Sequence, residues 1–292
     1  MTLGLKRGTV ELFAHEAQWE EEALRTIETL KAVLGDIALD IQHVGSTSVK
    51  SIKAKPIIDI AVAVCDFDAV LKKQAELETA GFYCRKHGED LPEQLLFAKG
   101  SYYNGIGDIQ THFIHVVKEN SAEWRDYVNF RDYLNANAAA AKEYEDLKLK
   151  LAKERPLDSG RERYLAGKRD FVSYTLRKAL VWSYLGKQIH IEIDRPVGYV
   201  HKKETYSLVY PINYGYIPGV KGGDGEDLDV YLLGANEPLK EADCRVIGIA
   251  HRQNDVVDKL IAAPEGMSFT KEEIEKAVLF QEQWYDTYIE TV

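Results

Sequence analysis

The chain has 292 residues, with 37 Lys and Arg against 47 Asp and Glu, a formal net charge of −10. That length favours two domains, each large enough for its own core. The acidity argues against a nucleic-acid-binding surface and requires that a phosphate substrate be met by a cation. The imbalance is uneven: residues 183–292 hold 11 basic and 19 acidic side chains, leaving 26 and 28 in residues 1–182. Cys65, Cys84 and Cys244 are scattered and lack CxxC spacing, which indicates reduced thiols rather than a disulfide framework or a zinc site. The first ten residues lack the apolar core of a secretory signal. The longest apolar run, around Ile57 to Cys65, is short and broken by Asp59, so a soluble, cytoplasmic protein without membrane contact is expected.

Residues 17–34 place Trp19, Ala23, Leu24, Ile27, Leu30 and Leu34 at helical spacing. A strand-like Ala38–Ile41 follows, then His43-Val44-Gly45-Ser46-Thr47-Ser48, then the apolar run after Lys55-Pro56 with Asp59 inside it. A glycine followed by three hydroxyl residues lets a backbone approach a phosphate and offers it donors; the same run also serves as an ordinary loop. Residues 121–153 are charged, Ala-rich and free of Gly and Pro, and residues 161–182 continue similarly, both reading as helix. Gly45-Ser46 with Asp59 in the following strand resembles the nucleotidyltransferase superfamily. The stretch from about Gly8 to Trp182, including Thr111-His112-Phe113-Ile114-His115, is more specifically similar to the GrpB family. That resemblance implies a mixed sheet with helices and makes Gly45, Ser46 and Lys55 candidates for binding a nucleoside triphosphate, with Asp59 as a metal ligand. Superfamily members hold two metals with carboxylates two residues apart, on one face of a strand. Here Ala61 takes the second position, so Asp108 or a residue of the His112 strand would have to substitute. His112 and His115 are three apart and point to opposite faces of a regular strand.

Gln188–Ile193 alternates as a strand and stops at Asp194-Arg195-Pro196, and further strands are expected near 206–209, 228–233, 245–250 and 258–263. Thr270 with Glu273 is a capping-box pattern opening a final helix to about residue 289. Between the strands, Asp224-Gly225-Glu226-Asp227-Leu228-Asp229 follows the Gly222-Gly223 turn. Like charges this close repel, and Asp229 falls inside an apolar strand pattern, where a carboxylate is expensive unless a cation compensates it. Hard oxygen ligands in a flexible turn suit Mg2+ or Ca2+, and Mg2+, which takes one or two carboxylates plus a phosphate, is the expected cofactor, with Mn2+ as a substitute. A polar hairpin with incidental charge is the alternative. Tyr210-Pro211-Ile212-Asn213-Tyr214-Gly215-Tyr216 lies upstream, and Asp255, Asp258 and Lys259 lie downstream, supplying hydroxyl and ammonium donors for phosphate oxygens.

This order, from about Gly186 to Val292, resembles the family I soluble inorganic pyrophosphatases. The resemblance implies a small OB-like five-stranded β-barrel, metal binding by Asp224, Glu226 and Asp229 with Asp255 and Asp258, and catalysis by Asp229, Glu226, Lys259 and Tyr214. It further implies that Lys202, Lys203, Tyr210, Tyr214 and Lys259 bind the substrate, with Glu192 as an early active-site glutamate. Glu226 stands where the family has Asp, and Asp227 where it has proline. The expectation is therefore an α+β chain of two domains, 1–182 and 183–292, hydrolysing pyrophosphate or a related phosphoanhydride with Mg2+. An oligomer is compatible with the sequence. Two alternatives stay open: nucleotidyl transfer as the main activity, and a catalytically silent nucleotide or phosphate sensor.

Overall fold

A computed structural model describes residues 2–85, 93–153, 160–202 and 207–292. Contacts divide the chain into two compact units, the first ending at Leu176 and the second running from Arg177 to Val292. The division falls inside a helix, shortly before the expected boundary at residue 182. Val181, in the last turns of that helix, belongs to the core of the second unit.

The first unit runs β1 (Leu5–Lys6), α1 (Gln18–Leu34), β2 (Ala38–Val44), β3 (Ile58–Val64), α2 (Phe67–Leu71), α3 (Gln74–Thr79), β4 (Tyr83–Cys84), β5 (Gln94–Lys99), β6 (Ile109–Gln110), β7 (His112–Lys118), α4 (Ala122–Ala136), α5 (Ala138–Lys153) and α6 (Gly160–Ser183), the last crossing into the second unit. Its five-stranded sheet has the order β2-β3-β7-β5-β4, with β3 and β7 parallel and the other neighbours antiparallel. α1 buries Trp19, Ala23, Thr26, Leu30 and Leu34, steps of three and four residues that keep one stripe toward the sheet. Leu24, expected on that stripe, is exposed, because a step of five from Trp19 turns it away from the buried face. Ile58, Ile60, Val62 and Val64 meet the α1 stripe, so period-two alternation sends Asp59, Ala61 and Ala63 to the opposite face. Ser121 caps α4 by accepting from the Trp124 amide at 3.2 Å, and Asn137, in extended backbone, breaks the expected single helix and caps α5 through the Ala140 amide at 3.0 Å.

The second unit contains β8 (Gln188–Arg195), β9 (Val200–Lys202), β10 (Ser207–Val209), β11 (Asn213–Lys221), β12 (Asp227–Leu232), β13 (Glu241–Arg252), β14 (Lys259–Ala263), α7 (Lys271–Glu282) and β15 (Thr287–Thr291). β14, β12, β11, β8 and β13 are hydrogen-bonded in that order, and β13 pairs back with β14, closing a five-stranded barrel to which β15 adds on β13. Ile191, Ile217, Leu228, Val230, Leu232, Val246, Leu260 and Ala262 form one core; Tyr210, Tyr214, Tyr231 and Ile261 form another with Ile274 and Val278 of α7. Successive residues of β12 thus alternate between the two sides, and Asp227 and Asp229 share the side of Tyr231. Gly215 is required where β11 crosses β8, since an added Cβ would stand 1.9 Å from the Glu192 carbonyl oxygen. The capping box at Thr270 and Glu273 is present, but the helix it opens ends at Glu282 rather than near residue 289. Thr287–Thr291 is instead a strand that pairs with β13, with Ile289 buried.

Candidate functional site

Four adjacent strands of the barrel, β14, β12, β11 and β8, bring charged and phenolic side chains to one side. Tyr216 of β11 is in register with Asp229 of β12 and with Glu192 of β8, and its hydroxyl donates to Glu192 Oε2 at 2.7 Å. The parallel pairing of Val230 with Leu260 puts Lys259 of β14 beside Asp229. Lys259 is only 4% exposed; its Nζ donates to Tyr214 Oη at 2.6 Å and to Asp229 Oδ2 at 2.5 Å. Burial holds the ammonium below its usual pKa, and the Asp229 charge partly restores it. Tyr214 is driven well above the ordinary phenol range by burial and then by the Asp229 carboxylate, so its hydroxyl keeps its proton. The Asp229 side chain remains 26% exposed. One end of this cluster is anchored and the other open.

Asp194 lies two residues beyond Glu192, where the pairing of β8 with β11 shifts register, and Arg195, which follows it, is in register with Tyr214. Arg195 Nη1 donates to Tyr210 Oη at 2.7 Å, and its guanidinium carbon lies 4.9 Å from the centre of the Tyr214 ring. The Asp194 pKa is raised by burial and further by the Asp229 charge, against the pull of Arg195 and Lys259. Asp194 and Arg195, expected only as the stop of a strand, belong to this cluster, brought there by a register shift that the alternation of Gln188–Ile193 does not contain.

The remaining expected residues are placed variously. Asp224 is exposed in the turn before β12, where its Oδ1 accepts from the Glu226 amide at 3.0 Å, and Glu226 is exposed beside it. Asp227 pairs with Lys221 at 2.8 Å. Lys202 is exposed at the end of β9, and Lys203 lies outside the described residues. Asp255 accepts from Arg252 at 3.1 Å. Asp258 is closed off entirely: Lys178 Nζ reaches both its oxygens at 2.8 and 3.0 Å, His251 Nδ1 lies 2.7 Å from Oδ2, and the Arg252 amide donates to Oδ1 at 3.1 Å. These two acids, expected beside Asp229 as metal ligands, are instead committed to protein cations. Among the described residues no three His, Cys, Asp or Glu side chains converge closely enough to hold a metal ion. A cation at Asp229 would therefore rest on one or two carboxylates and on substrate phosphate, the usual Mg2+ arrangement, and the mutually repelling Asp229 and Asp194 fit that role.

In the first unit Gly45, Ser46, Lys55 and Asp59 line one cavity of about 340 Å³, together with His115 and Tyr127. Gly45 has φ +70°, and a Cβ there would fall 2.5 Å from Asp59 Oδ2, so only glycine lets the turn lie against the carboxylate. Asp59 Oδ1 is 3.3 Å from His115 Nε2, and His115 Nδ1 is 2.9 Å from Tyr127 Oη. Ala61 is in register with His115, so an imidazole from the neighbouring strand shares the face on which a second carboxylate was sought. Asp108, the expected substitute, pairs with Lys6 at 3.2 Å and is exposed. His112 is buried on the other side of β7, with Nδ1 2.8 Å from Thr111 Oγ1.

Comparison with known proteins divides the chain in the same way. Residues 9–178 match the family model described as GrpB protein, and residues 184–289 match that described as inorganic pyrophosphatase. The chain is 37% identical over 177 residues to glutamate-rich protein GrpB of Alkalihalophilus pseudofirmus, covering 60% of this chain and 99% of that protein. The crystal structure of conserved protein GrpB from Enterococcus faecalis superposes with a TM-score of 0.51 at 30% identity, covering 58% of this chain and 96% of that one. Inorganic pyrophosphatase of Aquifex pyrophilus is 35% identical over 86 residues, which is 27% of this chain and 48% of that enzyme. The chain thus spans about half the length of the pyrophosphatase it matches.

Proposed function

Because the chain belongs to the GrpB family through its first unit and carries an inorganic pyrophosphatase-like domain after it, we propose that the second unit hydrolyses a phosphoanhydride, pyrophosphate being the simplest, with Mg2+. The observation that carries this reading is Lys259, a buried ammonium held between Tyr214 and a half-open Asp229. Lys259 and Arg195 would bind the substrate's phosphate oxygens, and Tyr210 and Tyr214 would orient the two cations. Such donors, fixed before substrate arrives, stabilise the charge that grows on the bridging oxygen as it departs. Asp229, with Asp194, would hold the metal, Asp224 and Glu226 serving from the adjoining turn; bound Mg2+ supplies a more acidic water and charge neutralisation at the phosphates. The Asp229 carboxylate is also placed to orient the attacking water and take its proton.

The test is phosphate release from pyrophosphate by the full chain, with and without Mg2+ or Mn2+, in the parent and in Lys259→Met. Metal-dependent release lost in Lys259→Met supports the reading; release that survives the substitution, or none in the parent, removes it.

A second reading concerns the first unit. Gly45, Ser46, Lys55 and Asp59 line one cavity, which favours binding of a phosphate-bearing nucleotide there. Calorimetric titration of nucleoside triphosphates into the parent and Asp59→Ala chains checks it, and equal heats from the two would count against it.

A further inference from the structure

We propose that the phosphate site of the second unit acts on phosphoanhydrides that carry a nucleoside, with the base seated in a neighbouring aromatic cavity; this deepens the hydrolase reading above and rests on it. Pyrophosphate has no apolar part, yet a cavity of about 510 Å³ adjoins the site, a volume suited to an organic ligand. Its walls include Tyr210, Trp284 and Tyr285, and its polar groups are Arg195, His201 and Gln281. Arg195 and Tyr210 therefore belong to both places. Arg195 donates to Tyr210 on the cavity side and lies against the Tyr214 ring, whose hydroxyl in turn accepts from Lys259. Two side chains connect the aromatic walls to the phosphate donors.

The cavity's aromatic walls are held in place by charged neighbours. The Arg252 guanidinium lies 3.5 Å from the centre of the Tyr285 ring and is itself held by Glu282 through bonds of 2.9 and 2.6 Å, so the Tyr285 platform is fixed. Trp284 is 73% exposed, the state of an aromatic surface that a stacked ring would cover. Gln281 lines the cavity and lies 3.0 Å from the Tyr231 hydroxyl, whose proton Glu282 accepts at 2.5 Å, so a side-chain amide is among the cavity's polar groups. A base stacks on any aromatic face with little regard to its identity, which suits a pocket with one amide and one imidazole for discrimination.

For a nucleoside diphosphate the step balances simply. Water oxygen bonds to the terminal phosphorus, the bond from that phosphorus to the bridging oxygen breaks, and the electron pair stays on the nucleoside monophosphate. The water proton goes to Asp229 and then to solvent. The products are a nucleoside monophosphate and phosphate.

The experiment uses the full chain and Trp284→Ala. Phosphate release from ADP, UDP and pyrophosphate is followed with Mg2+, and AMP and UMP binding is measured by calorimetry. The expected result is saturable binding of a mononucleotide that weakens about tenfold or more in Trp284→Ala, a matching rise in KM for the nucleoside diphosphate, and a KM for pyrophosphate unchanged within about twofold. No mononucleotide binding, binding that survives Trp284→Ala, or equal effects on ADP and pyrophosphate would overturn the proposal while leaving pyrophosphate hydrolysis standing. Trp284-dependent AMP binding without hydrolysis of any substrate would support the cavity and remove the hydrolase reading instead.

Discussion

Asp229 and Asp258 are both acids beside a lysine in the same small barrel, and their surroundings give them opposite uses. Asp258 is 6% exposed, and Lys178, His251 and the Arg252 amide occupy its two oxygens. Asp229 meets Lys259 and Tyr214 on one side and keeps 26% of its side chain open. A carboxylate whose lone pairs are all taken holds a fold together; one with free lone pairs is available to a ligand. Nearness to a signature motif does not separate the two, because both acids lie close to Lys259 in the chain or in space. The supply of donors does.

The largest test of that contrast is Asp258→Ala. It leaves Lys178 and His251 buried without their shared anion, and breaking a buried pair in this way costs about 3–5 kcal/mol. Urea unfolding of the second unit should show that loss, while activity per folded molecule stays near the parent value. Burial alone would raise the Asp258 pKa, but the His251 and Lys178 bonds outweigh it and hold it below 3.8. A depressed carboxylate contributes stability above its ordinary pKa and loses it as pH falls through the lowered value, so this cluster should withstand acid until below pH 3.8.

Asp229→Asn is expected to do the reverse. Removing one preorganised charged group from such a site costs roughly 2.7–4 kcal/mol in the transition state, or about 10²–10³ in kcat. Phosphate release should fall by that factor, and the melt should fall by less than in Asp258→Ala, because Asn still accepts from the buried Lys259 although it no longer neutralises it, and the site stays partly open to water. A large drop in Tm with retained turnover would mean that the open acid and the closed one have been assigned the wrong way round.

His112 in the first unit gives the contrast a third member, a buried titratable group without a charge partner bonded to it. Glu22 Oε1 lies 3.4 Å from His112 Nε2, yet that nitrogen makes no hydrogen bond. Burial lowers its pKa from 6.5 to about 3. The folded state keeps it neutral while the unfolded chain takes up a proton. Its stabilising contribution is therefore whole above pH 6.5 and is lost as pH falls toward about 3, by about 1.4 kcal/mol per pH unit. Differential melting at pH 7 and pH 5 should show the first unit weakening while the second holds, and His112→Gln should reduce the difference, His43, whose pKa burial also lowers to about 4, supplying the rest. The smallest effect belongs to Tyr216→Phe, which removes an exposed bond to Glu192. Its melt should overlay the parent's, so any change in phosphate release would report on the site rather than on the fold.

Much of this organisation could be read before the structure was known. Alternation in Gln188–Ile193 and in Leu228–Leu233, with the tyrosine and acid motifs between them, already describes a barrel with a charged side. The buried Lys178–Asp258 cluster could not be read, because its members lie on α6, β13 and the approach to β14, and local spacing says nothing about such a meeting. The end of α7 was misjudged because Trp284-Tyr285-Asp286 contains no Gly or Pro to mark a stop. Only the strand-favouring Thr287-Tyr288-Ile289 marks the change, and it is too short to weigh against the helical pattern before it. In the first unit, Ala61 read as a missing ligand. Parallel pairing with β7 shows that His115 shares that face, a juxtaposition across strands that no single-strand motif contains.

Closure of the barrel also sets a hierarchy of hydrogen exchange. β8, β11, β12, β13 and β14 each have a neighbour on both sides, so the backbone carrying Tyr214, Asp229 and Lys259 opens only with the whole unit. Trp284 and Tyr285 lie between the end of α7 and β15, a strand paired on one side only, where amides exchange through local opening. The proposed phosphate end of the site thus opens only with the whole barrel. The aromatic end, although Arg252 holds the Tyr285 ring, sits on backbone that opens locally, and is the more tolerant of substitution.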